Sequence, residues 1–201
     1  MSIVSQICSI SHPTAMYLAN ILGPLVGDTP HHVKNSAEFA SKIQDLTVTP
    51  GKKLLSYDVS ALFTTIPVPE AIQCVKSTLE SVDTWKDRTR LTLEQIIRLL
   101  DFVLLATYFV CRGTIYKQVL GCAMGPPVYI PIIANFYMEH LEREALTTFP
   151  RPPENWYSYV DDIFYQAVRM RCRSFYGSPK LIESYLSWTT VYTSRKTDQL
   201  K

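Results

Sequence analysis

This 201-residue sequence lacks several features that would assign it to a protein class. Its five cysteines are odd in number and none are spaced as Cys-x-x-Cys, so the sequence indicates neither a disulfide framework nor a zinc site. The most apolar stretch, 96–111, is shorter than the roughly 20 residues of a membrane span and contains Arg98 and Asp101. Residues 1–10 lack the basic start of a signal peptide. We therefore expect an intracellular protein with reduced thiols and no membrane span.

The net charge is also small. At +2 it neither supports nor opposes a nucleic-acid partner. What the chain does have is apolar content. At 47% hydrophobic residues it can form one sizeable domain with a core. Helical patterns at 13–26, 36–46 and 69–79 stand among a few strand-like runs, which favours α+β over alternating βαβ units. Ser36 is a plausible cap of the second helix.

Two strand-like runs and a capped helix lie in the middle of the chain. The segment Thr92-Leu93-Glu94-Gln95 is typical of a helix start, so 96–111 is predicted to be a buried helix that leads into a strand. Residues 107–111 and 114–116, separated by Arg112-Gly113, then predict a β-hairpin.

Two adjacent carboxylates carry the strongest chemical signal. Asp161 and Asp162 lie between the β-favouring runs 156–160 and 163–164, so a tight hairpin is expected to break there and expose both acids. Oxygen-only ligands suit Mg²⁺ or Mn²⁺, and phosphoryl-transfer sites hold two such ions about 3.5–4 Å apart. An acidic turn without metal is the alternative, because aspartate is common in turns.

A third carboxylate occurs in a similar setting. The apolar run 54–57 follows Lys52 and Lys53, stops at Asp58 and is followed by small residues, which predicts a buried strand ending in a loop. Asp58 and Asp161 could therefore converge, since strand ends and loops commonly form sites. The alternative for Asp58 alone is a strand-ending cap.

These segments resemble the reverse transcriptases of Penelope-like retroelements. The run Ser56-Tyr57-Asp58-Val59-Ser60-Ala61-Leu62-Phe63-Thr64-Thr65-Ile66-Pro67 is similar to the first palm motif of that family, and Tyr159-Val160-Asp161-Asp162 is similar to the third. The resemblance implies that Asp58, the Val59 carbonyl and Asp161 bind Mg²⁺ or Mn²⁺, with Asp162 beside them as a further catalytic acid. It also implies that Phe63 abuts the nucleotide sugar.

The segment 116–127 followed by 134–139 resembles the second motif, a glycine-bearing loop that leads into a helix. Gly121 and Gly125 are the candidates for positions where backbone passes close to the template base and the nucleotide, because a side chain there would collide. After the loop, apolar residues recur at helical spacing over 131–146 and predict one face packed under the sheet; they are Ile132, Ile133, Phe136, Tyr137, Leu141 and Ala145.

The resemblance covers residues 3–165 and implies an incomplete right-hand polymerase palm, a small antiparallel sheet backed by helices, with partial fingers and no thumb. We expect lead-in and partial fingers over 1–50, the palm core over 51–168 and an unassigned tail over 169–201. The glycine loop has one residue more than the family pattern, near Tyr129 and Ile130. After Phe164 the primer-grip region is missing, and 189–200 weakly resembles a later family segment.

The resemblance therefore implies an RNA-directed DNA polymerase that uses an RNA template, a DNA primer and deoxynucleoside triphosphates. Because the primer grip is missing, we expect this copy to be truncated and to have little or no activity. A noncatalytic nucleic-acid-binding or interaction domain is the alternative, supported by Arg169, Arg171 and Arg173 beside Phe175 and Tyr176. An acidic-site nuclease is a third possibility, but it would need more carboxylates in such settings.

Overall fold

The computed structural model describes residues 9–48, 50–60, 62–119, 121–122, 132–148, 153–168 and 187–193. It divides the chain into two compact units, each built from two separate stretches. The first comprises residues 1–28 and 61–140, and the second comprises residues 29–60 and 141–201. The expected division into 1–50, 51–168 and 169–201 stays a prediction.

Helices dominate the first unit. They are α1 (His12–Leu22), α3 (Leu62–Thr65), α4 (Val68–Ser81) and α5 (Leu93–Leu105), with short 3₁₀ turns at Gly23–Leu25 and Thr84–Arg88. Proline lies in the first turn of both α1 and α4, where its missing N–H has no helical partner to lose. The predicted helices 13–26 and 69–79 are thus confirmed, although α1 ends before Gly23.

Helix α5 begins with a full capping box. The Thr92 hydroxyl accepts a hydrogen bond from the Gln95 N–H, and the Gln95 side chain accepts one from the Thr92 N–H. Its apolar face packs against α1 and α4 and is buried at Ile96, Leu100, Val103 and Leu104. Each such side chain contributes roughly 1.5–3 kcal/mol by leaving water. The predicted helix start at Thr92 is confirmed. No helix among the described residues is long and apolar enough to cross a membrane.

The predicted hairpin follows α5. Strands β2 (Tyr108–Cys111) and β3 (Thr114–Lys117) pair antiparallel through the two-residue turn Arg112-Gly113. Both turn residues have positive φ, 50° and 78°, as a two-residue hairpin of this kind requires. The sequence rule for this turn is therefore confirmed.

The second unit contains an antiparallel four-stranded sheet of order β4-β5-β1-β6. Its strands are β1 (Lys52–Ser60), β4 (Glu154–Tyr159), β5 (Asp162–Val168) and β6 (Ser187–Thr193). The expectation of a small antiparallel sheet with helices is thus met. Two details differ from the sequence prediction: β1 continues past Asp58 to Ser60, because Val59 and Ser60 pair with β6, and β6 was not anticipated.

Helix α2 (Ser36–Gln44) lies against the sheet of the second unit. The Phe39 ring meets those of Tyr157 and Phe164 edge-on, with centroids 6.2 and 5.2 Å apart. Such aromatic pairs contribute about 0.5–1.5 kcal/mol beyond their buried area. The predicted helix is confirmed but its predicted cap is wrong, since Asn35 and not Ser36 accepts the hydrogen bond from the Glu38 N–H.

The first half of helix α6 (Ala134–Thr148) belongs to the first unit and its second half belongs to the second unit. The side chains predicted to form one face over 131–146 are all buried, both in α6 and in the two residues before it, namely Ile132, Ile133, Phe136, Tyr137, Leu141 and Ala145. In the second unit, the Glu142 carboxylate on α6 accepts a hydrogen bond from the Trp156 indole N–H on β4. The prediction of a buried face is confirmed.

Candidate functional site

Strand β1 carries Asp58 on an exposed position directly before the buried Val59. The Asp58 side chain is exposed, whereas the following Val59 is only 1% exposed. This alternation follows from the pleat, which directs successive side chains to opposite faces of the sheet. The strand thus buries Val59 while it presents a carboxylate to solvent.

The connection between β4 and β5 carries the second acid. It is a two-residue turn, Val160-Asp161, so Asp161 lies in the turn and Asp162 is the first residue of β5. The predicted hairpin is confirmed, but its break lies one residue earlier than Asp161-Asp162. Val160 has φ of 52°, a conformation that is unfavourable for a β-branched residue. Backbone strain of this kind is concentrated at functional sites.

The sheet register brings the three acids together. Asp58 pairs directly with Asp162 across β1 and β5, and the Val59 N–H donates a hydrogen bond of 2.9 Å to the Asp161 carbonyl. Directly opposed residues of an antiparallel pair project from the same face, with Cβ atoms about 4.5–5.5 Å apart. We call Asp58, Asp161 and Asp162 the carboxylate cluster.

The negative charges of Asp161 and Asp58 act on the Asp162 carboxyl. The pKa of Asp162 is raised above its ordinary value, first by partial burial and then by the negative charges of Asp161 and Asp58. Like charges at close range disfavour ionisation. A cation at the cluster would reverse this effect, because it would favour the charged forms.

Carboxylate and carbonyl oxygens are the ligands that Mg²⁺ and Mn²⁺ prefer, so the donor set of the cluster fits such an ion. Within the described ranges, however, no three side chains of His, Cys, Asp or Glu come together in a way that could hold a metal ion. A metal here would therefore rest on two of the carboxylates, backbone oxygens and water. The assignment of Asp58, Val59 and Asp161 as ligands stays a prediction.

Phe63 and Gly121 meet within the first unit. The Cys122 N–H donates a hydrogen bond of 2.7 Å to the Phe63 carbonyl, and a Cβ on Gly121 would lie 2.6 Å from that same oxygen and from two backbone atoms of Thr64. Gly121 also has φ of 70°. Backbone approaches this glycine closely, but the neighbour is the chain itself and not the template or nucleotide expected there.

The side chains around this contact are not reactive. Phe63 is 7% exposed, and burial raises the pKa of the Cys122 thiol to about 12, so Cys122 stays protonated at neutral pH. The roles of Phe63 and Gly121 toward a nucleotide stay predictions. Gly125 and the extra loop residue near Tyr129 and Ile130 lie outside the described residues, as does the run Arg169 to Tyr176.

The strand on the far side of Asp58 was not predicted from the sequence. Strand β6 pairs with β1 so that Thr189 is the partner of Asp58. A signal for it was present, because Trp188-Thr189-Thr190-Val191-Tyr192-Thr193 is rich in β-branched and aromatic residues. The paired edge explains why β1 continues beyond Asp58.

The sequence matches no protein-family model and no curated protein. Its fold is similar to that of telomerase from Candida albicans in complex with the TWJ fragment of telomeric RNA, with TM-score 0.64 and 16% identity over 96% of this chain and 36% of that one. It is also similar to apo telomerase from Candida tropicalis truncated from its C-terminal domain, with TM-score 0.63 and 10% identity over 96% and 42% of the two chains.

A Candida tropicalis telomerase in complex with a TWJ fragment of telomeric RNA gives TM-score 0.62 and 12% identity, over 94% and 34% of the two chains. The chain thus spans about one third to two fifths of the length of these telomerases. At such low identity the likeness shows the fold alone, which is polymerase-like.

Proposed function

We propose that this chain is part of a reverse transcriptase and that its carboxylate cluster is the site of nucleotidyl transfer. The observation that carries the proposal is the register of β1 and β5, which pairs Asp58 with Asp162 next to Asp161. The telomerase-like fold supports it, because telomerase is itself a reverse transcriptase. The motif order in the sequence supports the Penelope-like group as the family.

The cluster would hold Mg²⁺ or Mn²⁺ through the Asp58 and Asp161 carboxylates and the Val59 carbonyl. Such ions, when bound, activate the primer 3′-hydroxyl and neutralise the leaving pyrophosphate. The protein's own contribution is to fix the carboxylates: the ladder pairs Asp58 with Asp162, and the Val59 N–H anchors the Asp161 backbone. Asp162 lies beside them, and a bound cation would favour the charged form of its carboxyl, whose pKa is otherwise raised.

The partners proposed for this site are an RNA template, a DNA primer and deoxynucleoside triphosphates. Phe63 would lie beside the nucleotide sugar, and Gly121 and Gly125 would face the nucleotide and template. Template and primer would bind mainly through their phosphates and without sequence readout.

We also propose that this copy extends primers little or not at all. The support is internal to the sequence: the glycine loop carries an extra residue and lacks the family's serines, and nothing between Phe164 and Ser187 resembles a primer grip. The loss of such parts would leave the ligands in place while the primer end is held poorly, and orientation supplies a large share of catalysis.

Primer extension on an RNA template with Mg²⁺ or Mn²⁺ tests the proposed defect, and any product that forms tests the site. We expect little or no product from the wild-type chain. Product that disappears in Asp161→Asn but persists in the matched control Asp101→Asn, an exposed aspartate on α5, would establish the site and refute the proposed defect. Product that persists in Asp161→Asn would refute the site itself.

One observation favours a second candidate function, a noncatalytic nucleic-acid-binding domain that reuses the fold. Within the part of the chain that the structure describes, no third side chain completes a metal-ligand set. Salt-dependent binding of nucleic acid without metal-dependent synthesis, and without metal binding at the cluster, would support this candidate over the first.

A further inference from the structure

The β2–β3 hairpin presents apolar and aromatic side chains to solvent. On one face of the hairpin, Tyr108 and Val110 lie opposite Lys117 and Ile115, and all four are exposed. Tyr108 is 59% exposed and Ile115 is 71% exposed. A two-stranded hairpin gains little stability alone, so an uncovered face of this kind suggests a binding surface.

The charge of the hairpin is of one sign. Residues 107–119 contain Arg112 and Lys117 and no acidic residue. Five ion pairs occur among the described residues, and neither Arg112 nor Lys117 takes part in any of them. Neither cation is thus paired with an acid in the part of the chain that the structure describes.

A comparison of two lysine–aromatic pairs shows what is special about this face. The Lys117 ammonium lies 5.5 Å from the centre of the Tyr108 ring, and the Lys86 ammonium lies 5.8 Å from that of Trp85. Lys86, however, is paired with Asp83, and Trp85 is only 4% exposed. Among the lysine–aromatic pairs of the described residues, Lys117–Tyr108 alone combines an exposed ring with a cation that no described acid pairs, because Lys42 beside Tyr157 is paired with Glu38.

We infer that this hairpin face binds single-stranded nucleic acid, with a base stacked on Tyr108 and phosphates held by Lys117 and Arg112. An aromatic platform beside cations is the combination by which proteins bind single strands without sequence preference. The apolar surface of Val110 and Ile115 would contact the neighbouring base or sugar. The inference rests on the proposed function only for the class of partner, which is nucleic acid. The hairpin is a different segment of the chain from those that carry the carboxylate cluster.

Fluorescence anisotropy with a short labelled oligothymidylate and a matching oligouridylate tests this surface. The measurement uses the full chain in EDTA, without nucleotides, so that it does not depend on metal binding or synthesis. Tyr108→Leu, which keeps the side chain apolar, should weaken binding about 5-fold or more through lost stacking. Removing both cations in Arg112→Ala/Lys117→Ala should reduce the salt slope by about 1.4, at about 0.7 for each phosphate contact.

Lys86→Ala is the matched control and should bind as the wild type does. Unchanged binding by Tyr108→Leu, or equal losses in Lys86→Ala and Lys117→Ala, would overturn the inference. A further result would also overturn it: Val110→Ser/Ile115→Ser changes the mass measured by sedimentation but leaves oligonucleotide binding unaffected. The face would then bind a second copy of the chain. Failure of primer extension leaves this test unaffected.

Discussion

Gly121 joins the segment after Asp58 to the glycine-bearing loop, and replacing it with alanine should destabilise the first unit markedly. A Cβ at this position would lie 2.6 Å from the Phe63 carbonyl oxygen and from the Cα and carbonyl carbon of Thr64. These are backbone atoms, so no side-chain rotation can relieve the clash. The chain would have to separate at this contact.

Three contributions set the size of the effect. An alanine with φ of 70° costs about 1–2 kcal/mol relative to glycine. Separation of the two segments would also break the 2.7 Å hydrogen bond from the Cys122 N–H to the Phe63 carbonyl, which contributes about 0.5–1.5 kcal/mol. Together with the lost packing, we expect Gly121→Ala to lower the free energy of unfolding by about 2–4 kcal/mol.

Gly113→Ala provides a matched control. Gly113 has a similar φ of 78°, but a Cβ there would meet nothing within 4 Å. Urea denaturation of both variants should therefore show a loss of about 1–2 kcal/mol for Gly113→Ala and a clearly larger one for Gly121→Ala. Equal losses in the two variants would refute the backbone contact as the reason for glycine at this position.

Three further substitutions test other parts of the structure. Burial raises the pKa of Glu142, although hydrogen bonds from Ser158 and Trp156 oppose the shift, so wild-type stability should fall as pH rises from about 4.5 through the folded-state pKa. Glu142→Gln should remove that loss, and thermal melts across pH that stay parallel for the two proteins would contradict it. Val160→Asn should stabilise the chain by about 1 kcal/mol in urea titrations, since asparagine tolerates the positive φ of the turn, and a loss of stability would show that the turn is unstrained. Thr92→Ala should cost about 1 kcal/mol by removing half of the capping box, and unchanged stability would exclude a role for that cap.

Local features of the fold follow from the sequence because short-range chemistry fixes them. Arg112-Gly113 gives a two-residue turn, and Thr92 with Gln95 gives a helix start. The helix cap at Asn35 was misplaced by one residue because asparagine and serine cap equally well, and only the structure shows which side chain accepts the bond.

The pairing of the acids could not be obtained in the same way. Sequence order shows that Asp58 and Asp161 each lie near a strand end, but register is a property of two strands and depends on long-range contacts. The structure pairs Asp58 with Asp162, one residue after the predicted partner, and places Thr189 on its other side. The contact between Gly121 and the Phe63 backbone was likewise not predicted, since a nucleotide or template base was expected next to Gly121.

Manganese binding by calorimetry, with wild type and single variants, tests the carboxylate cluster most directly. The account predicts that Asp58→Asn and Asp161→Asn each weaken Mn²⁺ binding by about 10-fold or more, while the exposed control Asp101→Asn binds as the wild type does. Mn²⁺ binding that is unchanged in both cluster variants, or weakened equally in Asp101→Asn, would contradict the cluster as a metal site.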